Sequence, residues 1–259
     1  MHAIWSGVVG FGLVNIPVRL YSHSKEEELD IDLLHKKDRS PVRYARVCKE
    51  EEKEIAWEDI VKGFKTKKGY VILTDEDFAK ADARKTRAID IIHFSKPGGI
   101  DPIFFDKPYY LEPEKGAGKA YALLREALRE TGMVGVATFV LRHRERLAVV
   151  RPYKNALVLD QIRYPREIIG TDALSIPAAA VTRKEMKIAV DLIKSSTEIF
   201  KPKRYRDEYL KALRAIIREK SRGIRPKKRG QEPKPTEAAD IISELMKSLS
   251  QGRRKAAAR

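Results

Sequence analysis

The chain has 259 residues, of which 53 are Lys or Arg and 37 are Asp or Glu, so its formal net charge at pH 7 is +16. This length fits one or two domains with a sizeable core, and the single cysteine excludes an intramolecular disulfide. The apolar N-terminus lacks the basic start of a secretory leader, and no apolar run is long enough to span a membrane. We therefore expect a soluble, cytoplasmic protein.

The positive charge is concentrated toward the C-terminus. From Lys220 to Arg259 there are twelve basic and four acidic residues, a net of +8 and half of the total excess. Such a tail either keeps a disordered end soluble or attracts phosphate without a defined structure. The preceding residues are moderately basic, so both parts are candidates for binding a polyanion.

The N-terminal third alternates predicted strands with polar segments. Apolar residues interrupted by glycines at 4–21 indicate two short strands. Residues 33–47 predict a strand with a basic rim, and 49–68 predict an exposed excursion without clear periodicity. A short strand is predicted at 70–73, and Thr74 then predicts the N-cap of a helix with an acidic first turn.

The next segment combines a strand, a proline-rich stretch and a helix. Residues 89–94 predict a strand, whereas Pro102, Pro108 and Pro113, three of the four prolines within 96–113, limit ladder pairing and predict edge strands or extended loops. A helix is predicted at 117–131, because Tyr121, Leu124 and Leu128 recur at helical spacing and Gly132 follows as a stop.

Residues 134–165 are the strongest β signal in the chain. Three apolar runs separated by basic turns predict an antiparallel meander, and the first run is apolar on both faces, as in a barrel or sandwich. This meander places six basic residues at one end: Arg142, His143, Arg144, Arg146, Arg163 and Arg166. Arg151 and Lys154 lie at the other end. Such a rim is either a platform for a polyanion or ordinary surface charge that keeps the fold soluble.

The pattern becomes helical after Pro177. One predicted apolar face comprises Met186, Val190, Ile193 and Phe200, and a second comprises Tyr205, Tyr209, Leu213, Ile216 and Ile217. The segment 223–235 has a linker composition, and Thr236 caps a last short helix. The apolar face of that helix is formed by Ile241, Ile242, Leu245, Met246 and Leu249. Because it is too short to be stable alone, it either packs on the body or, as we favour, docks on a partner.

The motifs for catalysis and metal binding are weak. The Gly116–Lys119 stretch lacks the first glycine and the final Ser or Thr of a phosphate-binding loop. The acidic turn after Thr74 has no neighbouring histidine, and Cys48 has no second cysteine at metal-ligand spacing. No nucleophile and base stand out, so we predict a binding protein without catalytic residues, metal or cofactor.

A series of sequence motifs runs in order over nearly all of residues 3–220. They are WSG at 5–7, FGLVNIPVRLY at 11–21, LHKKD at 34–38, VRYARVC at 42–48, IVKGF at 60–64, YVILTDED at 70–77, IDPIFFDKPYY at 100–110, KAYALLREALRETG at 119–132 and LAVVRP at 147–152. In these motifs the chain resembles bacterial Ku, the DNA-end-binding protein of non-homologous end joining.

This resemblance implies an α+β protein with a β-barrel core, a basic bridging arm and a helical C-terminal arm. The expected domains are a DNA-binding core at 1–181 with its arm at about 36–72, a dimerisation arm at 182–222, and a tail at 223–259. Two copies would form a ring on a double-stranded DNA end, and the tail would recruit the ATP-dependent DNA ligase D. Many relatives have a second cysteine shortly after the position of Cys48, where this chain has glutamates, so no metal site is predicted.

A ring that accepts any DNA end must bind phosphates rather than base edges. The predicted contacts are Lys36, Lys37, Arg43 and Arg46 on the arm and Arg142, Arg144, Arg146 and Arg151 on the meander. Two alternatives remain at this point. One is a DNA-end-processing enzyme, such as an abasic-site lyase acting through a lysine amine, and the other is a general RNA-binding barrel.

Overall fold

The computed structural model describes residues 2–24, 29–81, 87–142, 144–225 and 243–248. It divides the chain into two compact units, Met1–Ala173 and Leu174–Arg259. The first unit is a β-barrel with an inserted segment, and the second contains helices. The α+β class is therefore confirmed, whereas the finer division at 182 and 223 stays a prediction.

The described residues of the first unit form nine strands and two α-helices. The strands are β1 (Trp5–Phe11), β2 (Val14–Ser22), β3 (Lys62–Thr66), β4 (Gly69–Leu73), β5 (Ala88–Ser95), β6 (Phe105–Pro113), β7 (Val134–Leu141), β8 (Arg144–Tyr153) and β9 (Ala156–Ile162). The helices are α1 (Asp75–Ala81) and α2 (Gly118–Thr131). The strands predicted at the N-terminus, the meander and both helices are confirmed.

Seven of these strands close into a barrel in the order β1-β2-β6-β9-β8-β7-β5, with β1 and β5 pairing in parallel to complete the circle. All other neighbouring strands in the barrel are antiparallel. Alternate residues point inward and form one apolar core. Among the fully buried side chains are Ile16, Leu20, Phe139, Val150 and Leu159.

The predicted edge position of the proline-rich strand is wrong, because β6 is paired on both sides. Pro108 stands beside β9 just before the β2 pairing begins at Tyr109. Pro113 pairs with β2 beyond the last β9 pair, which is at Leu111. Each proline therefore has a paired strand on one side only. Because no strand pairs with it on the other side, the proline, which has no N–H to donate, is tolerated within the barrel.

Helix α2 covers one end of the barrel, which we call the helix end. The Tyr121 hydroxyl donates to the Leu111 carbonyl and accepts from the Leu157 amide, both at 2.6 Å. Arg125 and Arg129 donate to backbone carbonyls of the turn between β8 and β9. These bonds fix the helix across the ends of three strands. Because the Tyr121 hydroxyl is buried between helix and barrel, its pKa is raised.

The opposite end of the barrel, which we call the rim end, carries the turn between β7 and β8. The strand directions also place there the starts of β1, β5 and β6 and the ends of β2 and β9. The segment 29–81, which we call the arm, follows β2 and precedes β5. The strand that precedes the arm therefore ends at the rim end, and the strand that follows the arm begins there.

The arm is built largely from local turns. The strand predicted at 33–47 is wrong, because only isolated bridges form there, between Leu34 and Pro41 and at the start of a second loop. The loops 34–41 and 47–54 are closed by the same pattern of backbone hydrogen bonds. Each turns at a residue with positive φ, Arg39 at 61° and Glu52 at 55°, which reverses the chain before a strand can extend. The hairpin β3–β4 and helix α1 follow.

The second unit contains α3 (Arg183–Ser196) and α4 (Glu208–Ser221). Thr182 and Glu185 form a capping box at the start of α3, and the Asp207 side chain caps α4. Phe200 and Tyr205 were predicted on the helix faces, but both lie between the helices, with ring centroids 5.2 Å apart. The reason is that α3 ends at Ser196 and the following backbone is extended.

The last predicted helix falls mainly outside the described residues. Residues 243–248 are helical, and they include Leu245, which is half-buried, and Met246, which is exposed. Ile241, Ile242 and Leu249 lie outside the described residues. None of the described helices is both long and apolar enough to cross a bilayer.

Candidate nucleic-acid interface

The rim end concentrates arginines, as the meander pattern predicted. Arg142 occupies the turn between β7 and β8 with a φ of 52°, and Arg144 and Arg146 follow in the first residues of β8. Arg163 directly follows β9, and Arg166 lies in the next short turn. Antiparallel pairing brings the end of β9 back beside the start of β8, so these side chains share one end of the barrel.

Carboxylates divide these arginines into two groups. The Arg163 guanidinium donates to Asp106, and the amide of Gln161 donates to the other oxygen of the same carboxylate at 2.8 Å. No carboxylate within the described ranges lies at ion-pair distance from Arg142, Arg144 or Arg146. Their charge is therefore not locally neutralised and attracts external anions more strongly than that of Arg163.

An open groove of about 860 Å³ borders the rim between the start of β8 and the turn after β9. It is lined by Arg144, Glu145, Arg146, Tyr164, Pro165, Arg166 and Glu167. The Arg166 guanidinium lies 5.5 Å from the centre of the Tyr164 ring. Burial and the neighbouring Glu145 raise the pKa of the Tyr164 hydroxyl. The groove thus has a polar, partly aromatic wall of mixed charge.

Arg151 differs from the other predicted contacts. It lies toward the helix end and forms a two-pronged ion pair with Asp160, whose side chain is only 6% exposed. Its charge is already compensated, so the geometry assigns it to the stability of the barrel. A DNA contact by Arg151 stays a prediction that the structure does not favour.

The first loop of the arm presents two uncompensated lysines. Lys36 and Lys37 lie in the turn at the tip of loop 34–41 and are exposed. The adjacent Asp38 carboxylate is held by His35 and by the amide and hydroxyl of Ser40. The Ser40 hydrogen bonds lower the pKa of Asp38, which keeps this acid ionised within the turn.

The two predicted arginines of the arm are exposed and held by neighbouring side chains. Arg43 contacts Glu54 at 3.1 Å, although its side chain remains 83% exposed. The Arg46 guanidinium lies 4.5 Å from the centre of the Trp57 ring. Stacking leaves the charge of Arg46 available, whereas Glu54 partly neutralises Arg43.

The arm carries a third basic group, which was not predicted from the sequence. Lys65, Lys67 and Lys68 surround the turn between β3 and β4, and no carboxylate in the described part of the chain pairs with them. The signal was a run of lysines between two short strands. Over residues 29–81, twelve basic and twelve acidic residues balance. The arm is therefore not uniformly basic: basic segments flank an acidic one at 50–59.

Cys48 begins the turn of the second arm loop. Its thiol accepts hydrogen bonds from the backbone of Glu51 and Glu50, which lower its pKa. Among the described residues, no group of three His, Cys, Asp or Glu side chains is arranged to hold a metal ion. The arrangement at the rim and arm therefore offers positive charge and exposed aromatic surface for binding.

The chain was compared with known proteins. The family model of the Ku70/Ku80 β-barrel domain matches residues 10–189. A protein of Opitutus terrae named non-homologous end joining protein Ku is 41% identical over 97% of this chain and 92% of its own length. The proteins of that name from Bacillus subtilis and Archaeoglobus fulgidus are 37% and 39% identical over 98% and 86% of this chain, and over 83% and 89% of their own lengths.

Proposed function

The chain belongs to the Ku family of non-homologous end-joining proteins, and from this premise we propose that it binds the ends of double-stranded DNA during double-strand break repair. The proposed role is binding without catalysis and without preference for base sequence. The observation that carries it is the rim end, where uncompensated arginines share one end of the barrel with the end of β2 and the start of β5, the strands that flank the arm. A duplex lying between rim and arm would meet positive charge on both sides.

The chemistry of these side chains supports recognition of the DNA backbone. Guanidinium and ammonium groups bind phosphate oxygens, which are the same for every sequence. On the barrel the proposed contacts are Arg142, Arg144 and Arg146. On the arm they are Lys36, Lys37, Arg43 and Arg46, and we add the lysines of the β3–β4 hairpin. Arg151 is the weakest of the predicted contacts, since Asp160 already compensates it.

We further propose that the protein acts as a homodimer whose two arms close a ring around the duplex. Apolar side chains of the arm remain exposed in the single chain, among them Phe64 at 66% and Tyr70 at 71%. Met186 and Ile193 on α3 and Tyr209 on α4 are also exposed. Apolar faces of this extent are typical of surfaces that a second copy covers.

The tail is proposed to recruit an ATP-dependent DNA ligase, ligase D. The support is the amphipathic pattern of its last segment, in which Leu245 and Met246 lie on a helical turn. A short apolar helix face joined to the body by a linker fits a groove on a partner protein. This part of the proposal is independent of how the barrel binds DNA.

Binding to linear and covalently closed circular forms of one duplex tests end recognition. At moderate salt we expect the linear form to bind and the closed form to be left unbound, because a closed circle offers no end for a ring to enter. Equal binding of both forms would mean that the basic surfaces act as an ordinary polyanion patch. The double variant K115E/K119E, which changes two exposed lysines at the helix end, should keep the same preference for the linear form.

A further inference from the structure

Arg146 differs from the other rim arginines in its direction. It pairs directly with Phe139 of β7, and paired residues of antiparallel strands point to the same face. Phe139 is fully buried in the barrel core, so Arg146 points into the mouth of the barrel. An inward arginine at this position was not predicted from the sequence, where it was assigned to a basic turn.

The polar neighbours of Arg146 in this mouth are already engaged with one another. Gln161 faces inward, being paired with the buried Ala148. Its amide donates to Asp106, which also accepts from Arg163. Tyr109 is the next inward side chain, and its pKa is raised by burial and by Asp106, while Arg142 and Arg146 oppose this rise. Both guanidiniums therefore act on the interior of the mouth.

Arg146 itself is left with an unsatisfied donor. Its Nε atom is enclosed and has no hydrogen-bond partner among the described residues, although the side chain also lines the open groove beside the rim. A buried charged donor without an acceptor lowers the stability of a fold and is uncommon in native proteins. Such groups are found where binding supplies the missing partner.

We propose that Arg146 binds one phosphate of the DNA backbone at the mouth of the barrel. This inference rests on the proposed function. The phosphodiester oxygens accept from Nε and one terminal nitrogen of Arg146 after a small rotation of the side chain, in the two-pronged geometry that a guanidinium offers to phosphate. Arg142 and Arg144 contact the same strand from the solvent side.

Two measurable properties distinguish a phosphate contact by Arg146 from one by an exposed cation: its contribution to DNA affinity and its effect on the stability of the free protein. A charge-assisted bond in a partly enclosed site contributes more than an exposed one. In addition, the unsatisfied Nε stabilises nothing in the free protein. Replacing Arg146 by Met should therefore leave the melting midpoint of the free protein unchanged or higher while it weakens DNA binding.

The experiment uses the full chain, a blunt duplex and four variants: Arg146→Met, Arg146→Lys, Arg144→Met and the control Lys119→Met. Fluorescence anisotropy at fixed salt gives the affinity, and thermal unfolding without DNA gives the midpoint. We expect Arg146→Met to weaken binding by about ten- to a hundredfold and Arg144→Met by less than about fivefold. Arg146→Lys keeps the charge but loses the two-pronged donor geometry of the guanidinium. Its DNA affinity should therefore be closer to that of Arg146→Met than to that of the wild type.

The outcomes distinguish this inference from the proposed function. Wild-type affinity in Arg146→Met would overturn the proposed phosphate contact alone, as would wild-type affinity in Arg146→Lys. A clear fall of the melting midpoint in both Arg146 variants would assign the side chain to the fold instead. If the wild-type protein failed to bind the duplex, the proposed function itself would be contradicted.

Discussion

The salt dependence of DNA binding gives the sharpest test of the rim. The variant R142E/R144E reverses two charges that no carboxylate of the described chain compensates. Each phosphate contact contributes about 0.9 to the slope of log K against log salt concentration. Removing two contacts should therefore reduce the magnitude of the slope by about 1.8 for each protomer that touches DNA.

The assay is the anisotropy of a labelled hairpin duplex with one free end, titrated from about 50 to about 200 mM salt. Over this fourfold range the wild-type affinity should fall about twelvefold further than that of R142E/R144E for each protomer that touches DNA. The control K115E/K119E makes the same change in net charge at the helix end. An equal change of slope in both variants would refute the proposed phosphate contacts at the rim. General electrostatic attraction between the basic protein and DNA would then explain binding.

The remaining predictions concern the barrel and the tail. Tyr121→Phe should lower the free energy of unfolding by about 2 kcal/mol, measured by urea denaturation, because the Leu157 amide loses its acceptor; a value near zero would contradict the assigned bond. Because burial raises the folded pKa of Tyr121, wild-type stability should fall as pH rises above about 10, and Tyr121→Phe should lose less over the same range. Asp160→Asn should also cost about 2 kcal/mol, because Arg151 loses a charged partner, with DNA affinity unchanged; a parallel loss of affinity would return Arg151 to the DNA contacts. Met246→Asp should abolish stimulation of a ligase while DNA binding stays intact, and unaltered stimulation would contradict the role of the tail.

The meander was predictable because its information is local. Apolar residues on both faces of 134–141, followed by basic turns, require a strand buried on both sides. The capping residue Thr74 and the stop at Gly132 are local signals of the same kind, and both are confirmed. The resemblance to Ku then supplied the barrel, which the family comparison confirms.

The features that were missed depend on long-range pairing. Closure of the barrel by β1 and β5 brings together residues about eighty positions apart, and no periodicity encodes that contact. Pro108 appeared to exclude an inner strand, yet it lies where only one neighbour is present. The inward direction of Arg146 follows from its register with Phe139, which a one-residue shift would reverse.

The strand predicted at 33–47 in the arm was wrong because of local structure rather than long-range pairing. Its loops are held by short-range backbone bonds and by positive φ values at Arg39 and Glu52, for which these residue types give no strong signal. The strand-like composition of 33–47 was therefore misleading. Its basic side chains were nevertheless placed correctly on an exposed surface, since charge predicts exposure more reliably than it predicts secondary structure.

The most direct test of the account is whether the protein becomes trapped on DNA. The protein would be loaded on a linear duplex, the ends would then be ligated into a circle, and the salt concentration would be raised until simple electrostatic complexes dissociate. A threaded ring should stay on the circle and leave an unligated linear control. Release from both forms at the same salt concentration would contradict threading and, with it, the proposed closure of two arms around DNA.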